Sequence, residues 1–244
     1  MGVINFLSLA AAAVLLVKAN GEDESAAKNT AVRVDCSSPM NAARSAAGFS
    51  ALEVAADASG QLPIHSSSDS SEKQPNDDYL TKVCDAMKKG KLPDPPVEIK
   101  PDGTFAYAVQ EGTDADCEAA VAYWKEAFTN FEGLPPANST DASVYTSAHN
   151  VSFISLFNPK ESPKVDCAYF TCPAKSTPKE TGDNTTEKEL KALLCVTTPK
   201  ALTDEAAPYS QEQWDRITTA INSGNAGVPT FFAVAAAALA ALFL

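Results

Sequence analysis

The sequence predicts an α+β (α/β) sandwich, with helices packed on a mostly antiparallel sheet and braced by disulfides. Three observations carry the prediction. Segments of helical periodicity and segments of strand character occur along one chain of 244 residues. Those with strand character follow one another in the second half, as in an antiparallel sheet, not in a regular βαβ alternation. Six cysteines, an even number, accompany sequence marks of export.

The export marks stand at the two ends. Residues Met1–Ala19, "MGVINFLSLAAAAVLLVKA", hold a short apolar core and small residues before a switch to polar "NGEDES". This is the pattern of a secretory signal peptide cleaved after Ala19. Val228–Leu244 contains no ionisable side chain, and the small-residue cluster "NSGNAG" at Asn222–Gly227 precedes it. Small residues followed by an apolar tail form the attachment signal for a glycosylphosphatidylinositol (GPI) anchor. Ser223 and Asn222 are the leading attachment candidates and Asn225 the next. The expected layout is a signal peptide at 1–19, one extracellular domain at 20–222 with its ordered core at about 34–221, an attachment region at 223–227 and a removed tail at 228–244. The mature chain is then displayed outside the cell, on the outer leaflet of the plasma membrane.

The formal charge is −12, and loss of Lys18 with the signal makes it −13. Such a chain repels nucleic acid, heparin-like polymers and anionic lipid, so the lipid anchor is the one membrane contact expected. The lysines of "KKGK" at Lys88–Lys91 read as a solvated helix end, where cations suit the helix dipole.

Cys36, Cys84, Cys117, Cys167, Cys172 and Cys195 predict three disulfides among 15 possible connectivities. No pair has C-x-x-C spacing, which argues against zinc and redox-motif readings. Cys195 is expected to join Cys167 or Cys172, because their segments read as sheet neighbours. The sequons at Asn138, Asn184 and Asn150 are N-glycosylation candidates. Asn150 opens an apolar run and is the poorest acceptor of the three.

Within the domain, "CSSPMNAARSAAGF" starts with capping serines and closes at Gly48. The polar stretch "SSSDSSEKQPNDD" has no periodicity and reads as a loop. In "DDYLTKVCDAMKKGK", Leu80, Val83, Cys84 and Met87 share a helical face and Gly90 ends it. "LPDPPVEIKP" is an extended connector. "GTFAYAVQEG" alternates Phe105, Tyr107 and Val109, as a half-buried strand does.

The spacing of Cys117, Val121, Trp124, Phe128 and Phe131 predicts a helix over Asp114–Phe131, capped by Thr113 or Asp114. Its aromatic stripe reads as core, not as a ligand box. "VSFISLF" (Val151–Phe157) is apolar on both faces and reads as a central strand, followed by strands at "VDCAYFTC" and "ALLCVTT". "PYSQEQWDRITTAI" carries a capping box from Ser210 to Gln213, a staple of Tyr209 on Trp214, and Trp214, Ile217 and Ile221 on one face.

Catalysis finds little support. His65 and His149 are the two histidines, one in a polar loop and one before an apolar run. Nucleophilic triads need a histidine in reach of the nucleophile. The sequence has no G-x-S-x-G, H-E-x-x-H or Gly-rich phosphate loop. Asp114 and Asp116 read as the acidic first turn of a helix. A non-enzyme without cofactor or metal is expected.

The segments "DCSSPMNAARSAAGF", "DCEAAVAYWKEAFTNFEGLPP", "VYTSAHNVSFISLFNPKESPKVDCAYFTCP", "LLCVTTPKAL" and "PYSQEQWDRI" resemble, in this order, the surface antigen (SAG) family of Eimeria. The resemblance runs from about Val34 to Ile217 and takes in all six cysteines. It implies a GPI-anchored coat protein of coccidian invasive stages, attachment to host cells and exposure to host antibodies. It also implies a three-layer αβα sandwich similar to the CAP superfamily of cysteine-rich secretory proteins, whose pattern "VDCAYFTCP" and "CVTTP" resemble. CAP proteins often hold two histidines in a central cleft, and His149 is similar in position to one of them. A CAP-like binder of a small ligand or sterol is the alternative function that this likeness implies.

Overall fold

The computed structural model of the protein describes residues 27–66, 74–90, 101–139, 142–174, 176–177, 185–186 and 188–225. In chain order its elements are β1 (Thr30–Val34), α1 (Ser37–Ala46), β2 (Glu53–Val54), α2 (Asp77–Lys88), β3 (Thr104–Gln110), α3 (Cys117–Glu126), α4 (Ala148–Leu156), β4 (Lys164–Cys172), β5 (Ser176–Thr177), β6 (Thr185–Thr186), β7 (Leu190–Thr198) and α5 (Gln211–Asn225). Short 3-10 turns follow α3 and precede α4.

The main sheet has the order β1-β4-β7-β3 with antiparallel pairing throughout, and β2 adds to β4 in parallel. β4 and β7 lie in its centre and are buried on both faces, so they read as nearly unbroken apolar runs. Side chains alternate strictly between two cores. Val165, Cys167, Tyr169, Leu193 and Cys195 face α1, α3, α4 and α5. Ala168, Phe170, Cys172, Ala192, Leu194 and Val196 face α2 and the segment around Leu62 and Ile64. The result is helix, sheet, helix, with the mostly antiparallel sheet expected from the sequence pattern and the αβα layering that the family resemblance implies.

Local chemistry explains most helix ends. Asn76 caps α2 by accepting from the Tyr79 N–H at 3.3 Å. Gly48 and Gly90 close α1 and α2 with φ of +70° and +67°, backbone angles that favour glycine. At α5, Ser210 Oγ accepts from the Gln213 N–H while Gln213 Oε1 accepts from the Ser210 N–H, which is the predicted capping box. Tyr209 stacks on Trp214 at 6.1 Å between ring centroids, completing the staple.

The serines of "CSS" do not cap α1, whose N-cap is Cys36 with no side-chain hydrogen bond to the first turn. Two further expectations fail. First, α3 starts at Cys117, and Asp116 caps it through the Ala119 N–H at 2.8 Å, in place of Thr113 or Asp114. The helix also tightens into a 3-10 turn over Ala127–Asn130 before Phe131. Second, "VSFISLF" is not a strand. Its first six residues are in α4, and Phe157 is the C-cap. Ser152, Phe153, Ile154, Ser155 and Leu156 are all buried, so a helix here shows no polar stripe, and periodicity has nothing to read.

Side-chain chemistry gives the reason for the helix. β3 forms one edge of the sheet, and an open edge exposes unpaired backbone groups. α4 covers it. Ser152 Oγ accepts from the Tyr107 N–H at 3.1 Å, and Ser155 Oγ donates to the Thr104 carbonyl at 2.8 Å. Trp124 Nε1 donates to the Tyr107 carbonyl at 2.9 Å from α3. The stripe on α3 is core, as expected, with Val121 and Trp124 buried and Phe128 and Phe131 packed around Phe153 and Trp214.

Candidate functional site

Three disulfides organise the described fold. Cys167 and Cys195 are directly opposed in the β4–β7 register and form a disulfide with Cα atoms 4.0 Å apart. Of the two partners the sequence left open for Cys195, the sheet selects Cys167, because Cys172 faces the other core. Cys36, at the N-cap of α1, joins Cys117, the first residue of α3. Cys84 on α2 joins Cys172 at the end of β4. Each helical layer is thus tied by a disulfide of its own. The Sγ atoms of Cys36, Cys167 and Cys195 lie within 4.8 Å of one another, a spacing that would suit a metal ion. All three are disulfide sulfurs, so none offers the thiolate that ligation needs.

The histidines are not brought together. His65 forms a bridge with Pro75 beside α2, whereas His149 sits on α4 across the sheet. His149 stacks on Tyr123 with ring centroids 4.0 Å apart and an angle of 7° between planes, and its Nε2 contacts the Tyr123 carbonyl. Asp116 is a helix cap, and Asp114 accepts from Thr113 Oγ1. These residues have structural partners in place of a shared cleft.

The buried charges were not anticipated. Asp166, in the middle of apolar β4, is 2% exposed. It pairs with Arg33 Nη1 on β1 and accepts from the Leu62 N–H at 2.8 Å, while Arg33 Nη2 donates to the Leu62 carbonyl at 3.1 Å. Burial pushes the Asp166 carboxyl up, and the Arg33 guanidinium and Leu62 N–H oppose that shift. The set pins the Leu62 segment to the sheet. Arg44 on α1 is fully buried and donates to the carbonyls of Ser50 and Leu156. Desolvation lowers it to about 10. Its guanidinium and that of Arg216 both lie over the Phe49 ring, at 5.5 and 5.7 Å from the centroid. Every polar group of these sets joins one chain segment to another.

Residues 32–235 match the family model described as the sporozoite surface antigen (SAG) protein domain. The chain belongs to the SAG family. It is also similar to the sporulated oocyst TA4 antigen of Eimeria tenella, at 32% identity over 199 residues, covering 79% of this chain and 77% of that protein. No solved structure matches the chain, so its likeness to the CAP superfamily stays with the sequence pattern.

In this SAG domain the modification candidates fall in different settings. Asn150 is 4% exposed; its Nδ2 donates to the Val144 carbonyl and its Oδ1 accepts from Asn130. Asn138 is half-buried beside Asp204, and Asn184 lies outside the described residues. An open groove of about 480 Å3 runs past Asn130, Phe131, Leu134, Pro136 and Val144. Among the described residues no helix is long and apolar enough to cross a membrane. The expected signal peptide at 1–19 and the apolar run at 228–244 lie outside the described residues. Asn222 and Ser223 are exposed on the last turns of α5, which ends at Asn225.

Proposed function

We propose that the protein is a non-enzymatic surface antigen held on the outer leaflet of the plasma membrane by a GPI anchor, and that it contacts host-cell ligands and host antibodies. The observation behind the reading is the place where the core releases the chain. Ile221 on α5 is buried, and the next two residues, Asn222 and Ser223, are exposed. The small-residue cluster and the apolar run follow at once. An anchor joined at Asn222 or Ser223 holds the folded body at the membrane without disturbing a core side chain. Membership of the surface antigen family supports display at the cell surface. The non-enzymatic part is supported by the use made of the buried Asp166, Arg33 and Arg44, which hold strands, helices and loops together.

Binding of the phospholipase-released protein to host cells tests the recognition role. Saturable binding that antibodies against the folded body block is the expected result. Uptake of a sterol or fatty acid by the same protein, without cell binding, would contradict it and favour the small-ligand reading.

A further inference from the structure

The geometry points to Cys117 as a modification site, at which a small cationic thiol enters by disulfide exchange and the released charge passes on to the disulfide at the centre of the sheet. Three observations carry this. The Cys36–Cys117 disulfide is reachable at one end only: Cys117 is half-buried, while Cys36 is 1% exposed. Both sulfurs stand at helix N-termini, Cys36 at the N-cap of α1 and Cys117 at the first position of α3. The helix dipole there favours a departing thiolate. The Cys36 sulfur also lies within 4.8 Å of both sulfurs of the Cys167–Cys195 disulfide.

The steps balance without an external oxidant. The entering thiolate attacks Cys117 Sγ, a mixed disulfide forms there, the Cys36–Cys117 bond breaks, and its electron pair leaves on Cys36 Sγ. Cys36 Sγ then attacks Cys167 or Cys195. A new disulfide to Cys36 forms, and the remaining sheet cysteine becomes the thiolate. The charge of the entering thiol follows from its surroundings. The carboxylates of Asp35, Asp114, Asp116 and Glu118 neighbour the two cysteines in the chain, and all four residues are exposed. They repel an anionic thiol and attract a cationic one.

The test uses the intact protein with cysteamine and, separately, glutathione, followed by acid quench, alkylation and peptide mapping. Cysteamine should appear on Cys117, the alkyl label on Cys167 or Cys195, and a new cross-link on Cys36, with Cys84–Cys172 intact. The rate with cysteamine should exceed that with glutathione by roughly 3- to 10-fold at low salt, with the ratio falling in high salt. Label on Cys36 with Cys167–Cys195 unbroken would overturn the transfer, and equal rates would overturn the thiol class. Cys117→Ser gives a second reading that needs no added thiol. Its alkylation should spread over Cys36, Cys167 and Cys195, and label confined to Cys36 would overturn the proposal.

Discussion

Trp124→Ala is the substitution that asks most of the packing account. Trp124 is fully buried on α3, and its indole N–H is the donor for the Tyr107 carbonyl on the edge strand β3. Truncation to Ala leaves a cavity, at a cost of about 3–5 kcal/mol for a buried aromatic. It also leaves the Tyr107 carbonyl without its donor, at a further cost of about 1–3 kcal/mol if water does not enter. A fall of at least about 4 kcal/mol is expected, against about 5–15 kcal/mol for a whole domain. In a chain of this size that lowers Tm by about 8–16 °C. Trp124→Phe helps separate the two terms, because it removes the hydrogen bond but keeps a six-membered aromatic ring in the same site and so leaves a smaller cavity than Ala. It should cost about 1–2 kcal/mol.

Lys125 is half-buried, so its neighbour Glu126, which is exposed, serves as the surface control on α3. Glu126→Ala should stay within about 0.5 kcal/mol of the native protein. Urea unfolding of the four proteins, with equal m-values, measures the series. A Trp124→Ala protein as stable as the native one but unable to bind host cells would refute the reasoning and make the stripe a recognition surface.

Further outcomes follow from the buried charges, the disulfides and the sequons. Arg33→Ala should cost about 3–5 kcal/mol, because it strands a buried Asp166, and Asp166→Ala should cost less, because Arg33 is partly exposed and reaches water. Burial holds the Asp166 pKa above its ordinary 3.8. The Arg33→Ala penalty should therefore be larger at pH 7 than at pH 4, because falling pH protonates the buried carboxyl and removes the uncompensated charge, as thermal melts at the two pH values will show. Asp57 is held at about 2 by Ser59 and Lys164, so it stabilises the fold above 3.8 and loses that effect as pH falls toward 2. Asp57→Asn should flatten the acid-side fall in Tm over that range. Replacing Cys84 and Cys172 by Ser frees a loop of sequence separation 88 and should cost about 4–5 kcal/mol in chemical denaturation. Glycopeptide mapping should find Asn150 unoccupied, since its amide is buried and bonded.

The sequence made some of this legible and hid the rest for physical reasons. α3 and α5 announce themselves because one face is buried and the other wet, so the period shows. β4 and β7 are recognisable as apolar runs of strand length, and their adjacency already narrowed the partner of Cys195 to two. α4 was hidden by the burial of Ser152–Leu156: with apolar and small side chains all round that stretch, a helix and a central strand look alike. β1 escaped because its Val32 is 65% exposed, so the alternation of that short strand marks no buried face. β5 and β6 lie in a stretch that reads as a polar loop, and each has only two residues. Asp166 gave a signal, a lone carboxylate in an apolar strand, but its partner Arg33 is 133 residues away and only the sheet brings them together. The attachment candidates were legible as a small-residue cluster, while their position just past Ile221 needed the fold.

The central claim, display by a lipid anchor joined at the end of α5, is tested most directly by mass spectrometry of the C-terminal peptide of protein released from membranes by phosphatidylinositol-specific phospholipase C. The account predicts release into solution and a last residue of Asn222, Ser223 or Asn225 carrying the ethanolamine-linked remnant. A membrane-retained protein whose C-terminal peptide still contains Phe231–Leu244 would contradict it.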